Sequence, residues 1–186
     1  MTEMETGTMQ REQIALLRFH PGLKRRVWGG RRLGGELETA AQQTPFGENW
    51  LISDHPEHES IVAEGPLAGK TLRELVRDAP ALLLGPRPTL TRGQRFPLLL
   101  KLLDAAEPLS VQVHPSDELA ATLGEQDPGK TEMWHVLAAA TDASLICGLR
   151  HGVTRESFEQ SLRTGTVMKQ LEQFPSPAGT TVFVPA

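Results

Sequence analysis

The 186-residue sequence contains no tyrosine and one cysteine, and aromatic residues make up only 5% of it. A single cysteine excludes a disulfide framework within the chain. That residue, Cys147, sits in the apolar run Ser144-Leu145-Ile146-Cys147-Gly148, where an inert buried thiol is expected rather than a nucleophile. A reducing, cytoplasmic setting fits this usage. No apolar run approaches the roughly 18 residues of a membrane span; the longest, Pro97 to Leu103, is interrupted by Lys101. No membrane partner is therefore expected. Met1 to Gln13 is polar and acidic without an apolar stretch, so it does not read as a signal peptide, and 1–13 is expected to be a disordered lead-in. Neither sign of charge dominates: 19 Lys and Arg against 23 Asp and Glu leave a net charge of −4. The only basic runs are Lys24-Arg25-Arg26 and Arg31-Arg32, too short for a nucleic-acid surface.

Glycine and proline, by contrast, are plentiful, at 17 and 14 residues scattered along the chain. Such punctuation cuts the chain into short pieces and favours a barrel or sandwich of short strands over a helical bundle. The length suits one domain, 14–186, which can bury roughly 70% of its unfolded surface. Strands are expected at Asn49 to Ser53, Ser60 to Ala63, Leu98 to Leu103, Leu109 to His114, Met133 to Ala139, Ser144 to Leu149 and Thr180 to Val184. Thr71-Leu72-Arg73-Glu74 reads as a capping box opening a helix, Thr154 as the cap of a helix carrying Phe158 and Leu162, and Ser116 as the start of a third. The acidic pair Asp117 and Glu118 suits the positive end of that third helix.

Two segments carry residues with chemistry. From Ser110 to His114 the alternation sends Val111 and Val113 to one face and Ser110, Gln112 and His114 to the other. From Lys130 onward the same period groups Lys130, Glu132 and Trp134, and turns His135 away. An imidazole, a carboxylate and an amide oxygen can hold a divalent ion such as zinc, and a neutral amide ligand leaves more positive charge on it. The same alternation also describes a polar strand edge in water, and spacing alone leaves both readings open. Lys101, among leucines, either meets an anion such as a substrate phosphate or extends its amine to solvent. Lys130 is either beside the metal or a turn lysine following Gly129. His55 and His58 are expected in a loop, His20 and His151 have no sequence partners, and Trp28, Trp50 and Trp134 are read as core or pocket wall.

The motifs Val27-Trp28-Gly29-Gly30, Phe46-Gly47-Glu48-Asn49-Trp50, Ile52-Ser53-Asp54-His55-Pro56, Phe96-Pro97-Leu98-Leu99, Leu103-Asp104-Ala105, Leu109 to Pro115 and Gly129-Lys130-Thr131-Glu132 occur in this order. Together they resemble type I mannose-6-phosphate isomerase (phosphomannose isomerase), a family of the cupin superfamily, from Phe19 to Ala186. The resemblance implies a mainly β, cupin-type jelly-roll barrel with a few short helices. It implies one zinc ion per chain on Gln112, His114 and Glu132, with Ser110, Lys101 and Lys130 at the sugar-phosphate pocket and the two lysines in catalytic roles. The implied reaction interconverts mannose 6-phosphate and fructose 6-phosphate, moving a proton between C1 and C2 through an enediol. The family's fourth zinc-ligating histidine and its catalytic arginine would fall beyond Ala186. The resemblance therefore also implies an incomplete barrel, the N-terminal part of the enzyme without its C-terminal strands and prone to self-association. The alternatives are a non-catalytic cupin that binds a metal or a sugar phosphate, or an inactive fragment of the isomerase.

Overall fold

Thr71 shows how local sequence sets the elements. Its hydroxyl accepts from the Glu74 amide at 3.1 Å while the Glu74 carboxylate accepts from the Thr71 amide at 2.8 Å, a reciprocal cap that satisfies two amides without helical partners. The helix it opens, α1 (Leu72–Asp78), buries Leu72, Leu75 and Val76. The structure, a computed structural model, describes residues 16–34, 45–86 and 95–186. The expected lead-in at 1–13 lies outside the described residues. The chain divides into two units, Met1–Val111 and Gln112–Ala186.

In the first unit, β1 (Gly22–Arg25), β2 (Phe46–Ile52) and β5 (Leu100–Leu103) form an antiparallel sheet in the order β1-β2-β5. A short antiparallel hairpin, β3 (Asp54–His55) with β4 (His58–Glu59), follows β2. His55 and His58 therefore pair across strands instead of lying in a loop, because Pro56 and Glu57 supply a two-residue turn. The expected strand at Ser60 to Ala63 is reduced to isolated bridges, Ile61 to Thr71 and Phe19 to Val62. A second short helix, α2 (Pro80–Leu84), has its proline at the start, where no amide is needed. Val62, Leu67 and Leu75 form the core of this unit, with Leu17, Phe19 and Leu83 packed on it.

In the second unit, α3 (Asp117–Leu123) precedes β6 (Glu132–His135), β7 (Ser144–Leu149), α4 (Arg155–Arg163), a 3₁₀ turn at Val167–Gln170, β8 (Leu171–Pro175) and β9 (Thr181–Val184). Strand β6 pairs antiparallel with β9, and β7 with β8. Both expected caps are present: Ser116 accepts from the Leu119 amide and Thr154 from the Ser157 amide, each at 3.2 Å. The architecture is mainly β with short helices, as expected.

A second strand expectation, besides Ser60 to Ala63, also fails. Leu109 to His114 belongs to no ladder among the described residues, and Val111 and Val113 are exposed rather than packed. Alternation specifies which side chains share a face, but a strand also needs a partner backbone, which is a property of distant residues.

Candidate metal centre

Strand β6 places its side chains by the period of two: Glu132 and Trp134 are half-buried on one face, Met133 and His135 exposed on the other. His135 accordingly meets Thr181 on β9, Nδ1 to Oγ1 at 2.8 Å, and takes no part in the cluster below. The segment between His114 and β6 is folded back by a clasp. The Lys130 amide donates to the Pro115 carbonyl at 3.0 Å, and the Gly129 amide to the Asp117 carboxylate at 2.7 Å. Gly129 is required there: a Cβ would lie 2.5 Å from the Asp117 nitrogen and 2.7 Å from the Pro115 oxygen, all backbone that cannot step aside. The clasp sets Lys130 and Glu132 against Gln112 and His114.

Four side chains converge as a result. Glu132 Oε2 accepts from the Trp134 indole at 3.0 Å and lies 2.9 Å from His114 Nε2. Against an ionised carboxylate that imidazole nitrogen is the donor. Lys130 Nζ lies 2.9 Å from Glu132 Oε1 and donates to Gln112 Oε1 at 2.5 Å. Burial alone would raise the Glu132 pKa, but the hydrogen bonds from His114, Trp134 and Lys130 outweigh it and hold the carboxyl at about 2. The deprotonated form, the one in which a carboxyl binds a metal, is thus favoured.

Among the described residues no three His, Cys, Asp or Glu side chains gather as a metal-binding set. The third donor of this cluster is the amide of Gln112. One imidazole nitrogen, one carboxylate and one amide oxygen, already within hydrogen-bond reach of one another or of one ammonium, fit a borderline divalent ion of the zinc type.

Lys101 and Ser110 belong to the first unit. Lys101, half-buried on β5 opposite Trp50, has an anionic partner within the protein: its Nζ is 3.7 Å from Glu48 Oε1. Glu48 is buried, and its Oε2 also accepts from the Trp50 indole at 2.8 Å and from Arg26 at 2.9 Å. Burial raises the Glu48 pKa, but Trp50, Lys101 and Arg26 together lower it below the usual carboxylate value. Ser110 is exposed.

Sequence reasoning missed the roles of Trp50 and Trp134 as indole donors. The signal was available: each tryptophan follows a glutamate by two residues, which in a strand puts both on one face. The clasp had no comparable signal beyond the glycine.

Residues 16–151 match the family described as phosphomannose isomerase type I, catalytic domain. The chain is 39% identical over 168 residues to a protein of Bacillus subtilis named "Probable mannose-6-phosphate isomerase GmuF", covering 90% of this chain and 51% of that one. It is 35% identical over 164 residues to the mannose-6-phosphate isomerase of Streptococcus mutans, covering 88% and 50% respectively. The crystal structure of the mannose 6-phosphate isomerase from Bacillus subtilis superimposes with a TM-score of 0.79 at 32% identity, over 91% of this chain and 52% of that chain. The chain thus spans about half the length of the relatives it matches.

Proposed function

The chain belongs to the type I phosphomannose isomerase family, and from that premise we propose that it serves the interconversion of mannose 6-phosphate and fructose 6-phosphate. Type I phosphomannose isomerases are metal-dependent. The observation that carries the reading is the convergence of Gln112, His114, Glu132 and Lys130 on one small volume. We read the first three as ligands of one zinc ion, and 14–186 as cupin-like catalytic-domain material.

Gln112, His114 and Glu132 would hold the zinc ion, which would supply an electrophile for the carbonyl chemistry of an aldose-ketose isomerisation. The remaining chemistry belongs to side chains. Glu132, held ionised, is fixed in orientation by the Trp134 indole, as a supporting hydrogen bond does for a metal ligand. Lys130 offers a cation beside the ligands that suits a sugar oxygen or phosphate. Lys101, paired with Glu48, and Ser110 are read as contacts to the sugar phosphate, and Lys101 and Lys130 as catalytic residues. The exposed apolar pair Met133 and Phe183, directly opposite each other on β6 and β9, is read as a surface for self-association.

No described helix is long and apolar enough to cross a membrane. A cytoplasmic protein acting on a small sugar phosphate, with neither nucleic acid nor membrane as partner, is the setting this reading assumes. The test is a coupled assay of mannose 6-phosphate conversion by the zinc-loaded chain. Turnover that disappears in Glu132→Ala is the expected result. A folded, metal-loaded sample without turnover in either direction would overturn the catalytic reading.

A further inference from the structure

Lys130 does more than neighbour the candidate ligands. Its ammonium bridges two of their oxygens, Gln112 Oε1 at 2.5 Å and Glu132 Oε1 at 2.9 Å. A divalent ion ligated by an oxygen approaches it to about 2.1 Å, so an ion taking those same oxygens needs the space the ammonium fills. Two cations a few ångströms apart also repel strongly in a site that is only partly wet. The lysine and the metal are therefore competitors for one pair of acceptors.

The chain is built to let the side chain leave. The Lys130 amide is tied to the Pro115 carbonyl, which fixes the backbone, while the side chain is 38% exposed and ends a flexible four-carbon stem with a path to water. We propose that Lys130 is an internal counter-ion of the metal centre: its ammonium occupies the oxygens of Gln112 and Glu132 in the metal-free protein and swings off them when a divalent ion binds. The inference rests on the zinc reading above and goes beyond it. Metal-free protein keeps its half-buried carboxylate neutralised, and the ammonium becomes available to an anionic substrate only once the metal is in place. Loading with metal then switches on the cationic half of the substrate site, so that sugar phosphate is not held unproductively by protein lacking its ion.

Two measurements on the whole chain test this. In a competition titration with a chromophoric chelator, Lys130→Met should bind zinc about tenfold more tightly than the unaltered protein, since a charge-assisted hydrogen bond no longer has to be broken. Its metal-free form should melt at a lower temperature. In the unaltered protein, zinc should raise the rate of reductive methylation of Lys130 several-fold, read by peptide mass spectrometry against the exposed Lys169 as internal reference. Zinc affinity of Lys130→Met equal to or weaker than that of the unaltered protein overturns the proposal. So does methylation of Lys130 that zinc leaves unchanged or slows, even if the variant binds more tightly, because simple repulsion without displacement would give that pair of results. Failure of the unaltered protein to bind zinc at all sinks the metal reading itself, an outcome distinct from either.

Discussion

Trp134 stands two residues beyond Glu132 on one face of β6, and its indole N–H donates to Glu132 Oε2 at 3.0 Å. The same arrangement recurs on β2, where Trp50 donates to Glu48 Oε2 at 2.8 Å. In both, the indole N–H fixes one oxygen of the carboxylate. Trp134→Phe keeps the ring volume and removes the donor. Zinc affinity should fall about tenfold, the usual effect of losing a hydrogen bond behind a metal ligand. Isothermal titration of zinc into both proteins measures it, and equal affinities would show that the indole does not orient Glu132.

The trio itself has an internal ranking. Glu132 carries charge and three hydrogen bonds, whereas Gln112 is neutral and exposed. Glu132→Ala should therefore abolish measurable zinc binding while Gln112→Ala only weakens it. Unchanged affinity in both variants would refute the site.

Glu48 gives the first unit an acid-sensitive component. Its carboxyl is held below the ordinary value by Trp50, Lys101 and Arg26 against the opposing effect of burial. The sign follows: a depressed folded pKa contributes stability that is fully present above the unfolded carboxylate range, about 4.3, and is lost as pH falls through the lower folded value. Glu48→Gln should flatten that acid limb in a plot of denaturation midpoint against pH. An acid limb of unaltered steepness would assign it to other carboxylates.

Gly129→Ala places a methyl group against immovable backbone of Ser116 and Asp117. Overpacking of this kind costs about 1–3 kcal/mol, and here it should also loosen zinc, because Gly129 adjoins Lys130 in the clasp. Chemical denaturation and zinc titration of the variant should move together. Lost stability with intact affinity would separate the clasp from the site.

Phe183 and Met133 pair across β9 and β6 with 64% and 69% of their surface exposed. Exposed apolar pairs on short two-stranded sheets invite association. Sedimentation velocity should show mass rising with concentration for the unaltered chain and much less so for Phe183→Lys. A concentration-independent monomer in both would remove this surface from consideration.

Much of this was legible from local rules. Ser144 to Leu149 is a strand with the expected limits, and Thr71, Thr154 and Ser116 cap their helices, because capping and alternation are decided by neighbours a few residues away. Within β6 the same period puts Glu132 and Trp134 on one face. What local rules could not supply was pairing. Leu109 to His114 alternates like a strand yet joins no ladder among the described residues, and Gly22–Arg25 and Leu171–Pro175 became strands because β2 and β7 lie beside them. The partners of Glu48 were equally out of reach: Arg26 and Lys101 arrive from β1's end and from β5, a meeting that only the sheet order creates.

His114 and Glu132 are 18 residues apart, but the chain between them starts and finishes at one place, since the Lys130 amide donates to the Pro115 carbonyl and the Gly129 amide to the Asp117 carboxylate. The helix α3 thus hangs outside the site as a closed excursion. Lengthening such an excursion adds little to the entropy of closing it, about 0.6 kcal/mol per doubling. Insertions and deletions around Thr122 to Gln126 should accordingly pass without disturbing the donors, and the spacing of the motif becomes a variable that descent can edit freely while the two ends stay fastened.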